Sequence, residues 1–100
     1  MLTIKKEING GTVTFCLGGR LDDDNASQLE AELQRLPKRM NALVFDLKDL
    51  EYISTTGLRV LILAQKQMNS RGRMYLTNVG PDVMQTMEIK GLSEVFNIWD

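Results

Sequence analysis

The sequence predicts an α/β fold: a mixed β-sheet, opened by an N-terminal hairpin and continued by parallel crossovers, with helices packed on it. Three observations carry that expectation. Residues 2–5 and 12–17 alternate apolar and polar side chains, the period of a half-buried strand. Asn9-Gly10-Gly11 lies between them, and Asn-Gly supplies the positive φ angles of a tight hairpin turn. Beyond residue 25, helical patterns alternate with short apolar runs, the order that yields right-handed crossovers between parallel strands.

The elements follow in chain order. Leu2, Ile4 and Ile8 belong to the first strand, and Val13, Phe15 and Leu17 to the second, which Gly18-Gly19 should end. The acidic run Asp22-Asp23-Asp24-Asn25 suits a helix start. Ala26, Leu29, Leu33 and Leu36 then recur at spacings of three and four, with Ser27 and Glu30 placed to form a capping box if the helix begins late. Pro37 marks the end of that helix. Residues 42–46 are a short apolar run, read as a central strand. After a connector, a helix over residues 55–70 carries Leu58, Leu61, Ile62 and Met68 on one face, widened by Val60, Leu63 and Ala64. Gly72 ends it. Residues 73–77 form the next strand, with Met74 and Leu76 on one side and Tyr75 on the other. Pro81 suits the first position of a third helix. That helix should turn Val83, Met84 and Met87 inward and stop at Gly91. Residues 95–99 make a last strand or extended tail, anchored by Trp99.

One hundred residues without a linker or repeat read as one domain, residues 1–100. The chain has 43% hydrophobic and 25% charged residues, ordinary for a soluble globular protein. A net charge of −1 offers no electrostatic reason to expect nucleic acid or an anionic membrane as partner. The longest apolar run, residues 60–64, is too short to span a bilayer, and the N-terminus has no signal-peptide pattern. Cys16 is the single cysteine and suits a reducing cytoplasm. The chain has no histidine, which excludes Ser/His/Asp and Cys/His nucleophilic sites and histidine–zinc centres. No Gly-Lys-Ser/Thr phosphate loop is present. A calcium loop from Asp22 would need Gly at 27 and Glu at 33, where Ser27 and Leu33 stand. The sequon Asn25-Ala26-Ser27 has no meaning in a cytoplasmic chain. Met40, Met68, Met84 and Met87 fit a core better than an adaptable binding surface. No catalytic residue, metal or cofactor is expected. Carboxylate acid–base chemistry is a remote third reading beside two binding-module readings.

The most informative segment is Tyr52-Ile53-Ser54-Thr55-Thr56-Gly57-Leu58. Three hydroxyl residues and a glycine open an apolar helix. One hydroxyl suffices to cap it, by accepting from a free N–H of the first turn. The same place favours a phosphate, where N–H donors and the positive end of the helix dipole converge. Two readings stay open from these residues: an over-capped helix, and a phosphorylation switch. Gly57 implies either close packing or an unusual backbone angle at the helix start.

Taken together, three pieces resemble the STAS domain family, typified by bacterial anti-sigma factor antagonists. They are Gly19-Arg20-Leu21-Asp22 before the first helix, Val44-Phe45-Asp46-Leu47 in the central strand, and the hydroxyl-rich segment itself. The resemblance covers nearly the whole chain. It implies that an anti-sigma factor with serine/threonine kinase activity binds the unphosphorylated protein and phosphorylates Thr55. It implies too that phosphorylation breaks the complex and that a phosphatase resets it. Asp22, Ser54, Thr55, Thr56 and Gly57 are then the partner-binding residues, and the protein works in the cytoplasm to regulate sigma-factor-dependent transcription. Two positions depart from the family signature: Ser54 replaces its Asp, and Thr55 its usual Ser. The alternative is a STAS subunit that is never phosphorylated, in an assembly such as a lipid-transport ABC complex.

Overall fold

The computed structural model describes residues 1–99. Strand β1 (Leu2–Asn9) and strand β2 (Thr12–Leu21) form the hairpin, with Leu2 opposite Gly19 and Asn9 opposite Thr12. Helix α1 (Ala26–Gln34), strand β3 (Ala42–Ile53), helix α2 (Thr55–Asn69), strand β4 (Arg73–Thr77), helix α3 (Pro81–Ile89) and strand β5 (Asn97–Trp99) follow. The five strands lie in the order β1-β2-β3-β4-β5, and every pairing after the hairpin is parallel. Each crossover steps the same way across the sheet, so right-handed connections place all three helices on one face.

That face holds the core. Val13, Phe15 and Leu17 of β2 are buried beside Leu43, Phe45 and Leu47 of β3 and Met74 and Leu76 of β4. Phe15 and Phe45 are register partners whose rings stack at 5.7 Å. The helices cover them with Leu29 and Leu33 from α1, Leu58, Leu61, Ala64 and Met68 from α2, and Val83 and Met87 from α3. Burying each such large apolar side chain contributes about 1.5–3 kcal/mol. Met40, Met68 and Met87 are core residues, and Met84 is half-buried.

Several elements differ from the sequence expectation, each for a local reason. Gly18-Gly19 does not end β2, which runs on to Leu21. Gly19 has φ +83, and a Cβ there would meet the Met1 carbonyl, so the glycine admits β1's approach instead of stopping the strand. No connector follows Asp46. Strand β3 runs on without a break to Ile53, twelve residues in all from Ala42. Register shifts between Cys16 and Gly18 and between Gly19 and Arg20 interrupt its alternation, and bulges of this kind erase a period-2 pattern. Asp46 accepts from the Lys48 N–H at the first of them, at 3.1 Å.

The capping box at Ser27 and Glu30 does not form. Helix α1 begins at Ala26 after Asn25, whose side chain makes no cap bond, and Ser27 is exposed. The acidic run precedes this helix instead of filling its first turn. Leu36 lies beyond α1 but packs partly against the core. Leu63 points outward and is 51% exposed. The final strand is only Asn97–Trp99, and Trp99 stays 53% exposed while its ring lies 3.9 Å from that of Tyr75.

Candidate functional site

The site sits where β2 and β3 end side by side. Leu21 is the register partner of Ile53, and the Ser54 N–H donates to the Leu21 carbonyl at 2.9 Å. One backbone hydrogen bond therefore joins the Asp22 loop to the start of α2. A parallel pair needs a long crossover between its strands, which is why residues 21 and 54, distant in sequence, become neighbours here.

The three hydroxyls divide into different roles. Ser54 is the N-cap of α2: its backbone is extended, with φ −88° and ψ 172°, and its Oγ accepts from the Gly57 N–H at 3.1 Å. Its carbonyl accepts from Leu58 N–H at 2.9 Å, the first bond of the helix. Thr56 is half-buried. Thr55 is exposed, and its hydroxyl has no hydrogen-bond partner among the described residues. Of the three, Thr55 is the one presented to solvent at the helix start.

Gly57 is buried, and its role is close packing, not an unusual backbone angle. An added Cβ would stand 2.8 Å from Leu21 Cγ, 3.0 Å from Ile53 Cγ1 and 3.1 Å from the Leu21 carbonyl oxygen. Its φ is not positive. The missing side chain lets the first turn of α2 press onto the ends of both strands.

Asp22 is half-buried and organises its own loop. It accepts from the Asp24 N–H at 3.1 Å, and its N–H donates to Asn25 Oδ1 at 2.9 Å. Asn25 in turn donates from Nδ2 to the Arg20 carbonyl at 2.9 Å. This explains why Asn25 is buried yet does not cap α1: its amide is committed to the loop on its N-terminal side. Asp23 and Asp24 are exposed. The five sequence-predicted residues thus fall on two adjoining chain segments, with Asp22 following Leu21 and the other four at the α2 start.

One pair at this edge was not foreseen. The Arg20 guanidinium lies over the Tyr52 ring at 4.1 Å, and the two are register partners. Both residues stood in plain view inside the quoted motifs; their register depends on the two bulges, which left no periodic trace.

No other region assembles a comparable set. An open concavity of about 430 Å³ lies on the opposite side of the sheet, lined by Thr3, Lys5, Glu7, Cys16, Asp46 and Asp49, and contains none of the site residues. Burial there pushes the Cys16 thiol above its ordinary range, with Asp46 and Glu7 adding to the effect. Among the described residues no three of His, Cys, Asp and Glu gather to hold a metal, and no helix is long and apolar enough to cross a membrane.

The chain thus combines a hairpin-led mixed sheet, all its crossovers parallel, with a capped, hydroxyl-bearing helix start at the ends of two inner strands. The STAS domain model matches residues 3–100, and the chain belongs to that family. BtrV of Bordetella bronchiseptica, which carries the name of an anti-sigma factor antagonist, is 39% identical over 90 residues, covering 88% of this chain and 78% of that protein. The anti-sigma F factor antagonist of Paenibacillus polymyxa is 26% identical over 102 residues, covering 99% and 87%. Among solved structures, an anti-sigma factor antagonist from Mycobacterium paratuberculosis superposes with a TM-score of 0.88 at 22% identity, over 99% of this chain and 86% of that one. At that identity the likeness shows the shared fold.

Proposed function

We propose that this protein is an anti-sigma factor antagonist, a cytoplasmic binding module and not an enzyme, whose affinity for its anti-sigma factor is set by phosphorylation of Thr55. The relatives that carry the antagonist name support the first part of this reading. The observation that carries the second is the division of labour at the α2 start: Ser54 is committed as the cap, while Thr55 is exposed with its hydroxyl unengaged.

The partner is an anti-sigma factor with serine/threonine kinase activity. It transfers the γ-phosphoryl of ATP to Thr55 Oγ1, the hydroxyl loses its proton, and ADP leaves. Phosphothreonine carries a charge of about −1.5 to −2 at neutral pH. The fold tolerates it, because the charge sits at the positive end of a helix dipole. A partner surface fitted to a neutral hydroxyl beside Asp22 does not, since the new charge adds to that carboxylate. Phosphorylation therefore weakens the complex and leaves the domain folded, and a phosphatase restores binding.

The test is mass-spectrometric site mapping after incubation with the cognate kinase and ATP, with binding measured for Thr55→Glu and Thr55→Ala. Phosphate on Thr55, weakened binding by Thr55→Glu and retained binding by an unmodifiable Thr55→Ala are expected. Phosphate on Ser54 or Thr56, or wild-type binding by Thr55→Glu, would overturn the assignment. No modification at all would favour a STAS subunit that binds without a switch.

A further inference from the structure

The exposed side of α2 carries more than the acceptor. Thr55, Arg59 and Leu63 follow at intervals of four, and all three are exposed. Side chains four apart on a helix are neighbours, and an acidic group N-terminal to a basic one is the favourable order. Arg59 has no salt bridge among the described residues, where the only ion pair joins Arg35 to Glu32. The other cation at this edge, Arg20, is already engaged with Tyr52.

We propose that Arg59 is the intramolecular receptor of a phosphate on Thr55, closing an ion pair across the first turn of α2. The proposal rests on the reading of Thr55 as the acceptor and adds what the phosphate does once there. Before modification the stripe shows a neutral hydroxyl and a free guanidinium. Afterwards the phosphate accepts from the guanidinium, so both groups change in the face offered to a partner. A guanidinium suits this role because its fork of donors matches phosphate oxygens, and charge-assisted pairs of this kind are stronger than neutral ones.

The experiment installs phosphothreonine at position 55 by genetic encoding and follows its second ionisation by ³¹P NMR in the full chain. An i,i+4 ion pair contributes about 0.2–0.5 kcal/mol, and one pKa unit corresponds to about 1.4 kcal/mol. Arg59→Gln should therefore raise the phosphate midpoint by about 0.3 unit, a twofold change in its proton affinity. Arg59→Lys should restore most of the difference, and added salt should shrink it. Lys66→Gln removes the same charge eleven residues along the helix, roughly 16 Å away at 1.5 Å per residue, and should shift the midpoint far less. Asp22, Asp23, Asp24, Glu51 and Arg20 at the same edge are present in every variant and cancel in the comparison. Coincident titrations of wild type and Arg59→Gln, or equal shifts from Arg59→Gln and Lys66→Gln, would overturn the proposal. The phosphate is placed without a kinase, so failure of the cognate kinase to modify Thr55 is a separate result that bears on the acceptor, not on Arg59.

Discussion

Gly57→Ala adds one carbon at the tightest contact of the site, and two opposing effects decide its outcome. Alanine is a better helix former than glycine by about 1 kcal/mol, which on its own would stabilise α2. Against this, the new Cβ stands 2.8 Å from Leu21 Cγ and 3.0 Å from Ile53 Cγ1. Both neighbours are fully buried and have no open space to retreat into. The Leu21 carbonyl, 3.1 Å away, is itself fixed by the Ser54 N–H. Overpacking of a closed core costs about 1–3 kcal/mol, so the net expectation is a loss of about 1 kcal/mol. Thermal unfolding should then fall by about 4–8 °C for a domain of this size. Gly57→Val adds two further methyl groups and a stiff χ1, and should lose about 3 kcal/mol. A cycle with Leu21→Ala separates packing from helix propensity. Leu21→Ala alone should cost about 2–5 kcal/mol, and less in the Gly57→Ala background, where the new methyl occupies part of the vacated space. Coupling of about 1 kcal/mol is expected. An alanine variant that melts at or above wild type, or strictly additive losses, would refute the packing argument.

Two more outcomes can be measured directly. Ser54→Ala removes the side-chain acceptor of the Gly57 N–H and should cost about 1 kcal/mol by denaturant titration, whereas Ser54→Asp should match or exceed wild-type stability because its carboxylate caps the same N–H. The Cys16 thiol, raised mainly by burial and then by Asp46 and Glu7, should alkylate more slowly near pH 8 than a free thiol, and Asp46→Asn should speed it. The unfolded thiol gives up its proton first, so Cys16's contribution to stability is fully present below the ordinary cysteine value and is lost as pH rises through the raised folded value. An alkylation profile matching free cysteine would contradict this.

The mixed sheet, its elements in chain order and all three helices could be read from the chain because local signals mark each element. Gly10, with its positive φ, makes the hairpin turn while Asn9 stays in β1 opposite Thr12, Pro81 opens α3, and the three- and four-residue spacing of Ala26, Leu29 and Leu33 marks α1. The largest departures lie at one place. Between Cys16 and Leu21 on β2, and between Asp46 and Ile53 on β3, alternation breaks because β3 carries extra residues in the pairing. In sequence that stretch looks like a glycine stop and a charged connector. In the fold it is continuous strand whose charged residues Lys48, Asp49 and Glu51 are exposed while Leu47, Leu50 and Ile53 are buried. The Ser54 cap at the α2 start was legible because helix caps are local chemistry. The Arg20–Tyr52 contact was not, because it depends on register across those same bulges. Leu63 misled for the opposite reason: its apolar character fits the core stripe of α2, yet it projects onto the stripe that begins at Thr55.

These irregular strand ends also favour the proposed separation of the switch from the fold. Extending β2 and β3 past their bulges carries Leu21 and Ile53 far enough to clamp Gly57. With that clamp and the Ser54 cap in place, the first turn of α2 is held by its backbone and by Ser54. None of the observed bonds that hold it uses the Thr55 hydroxyl. A phosphate on Ser54 would compete with the cap, whose loss costs about 1 kcal/mol, and so would change stability together with affinity. A phosphate on Thr55 disturbs no existing hydrogen bond among the described residues and gains the helix dipole. The replacement of the signature carboxylate by Ser54 keeps this separation, since a serine oxygen caps the same N–H. What it removes is a fixed negative charge beside the proposed acceptor, so restoring one by Ser54→Asp should raise the second pKa of a phosphate on Thr55 through like-charge repulsion. That shift is opposite in sign to the effect proposed for Arg59, and a ³¹P titration that moved down instead of up would show that the two positions do not share one electrostatic environment.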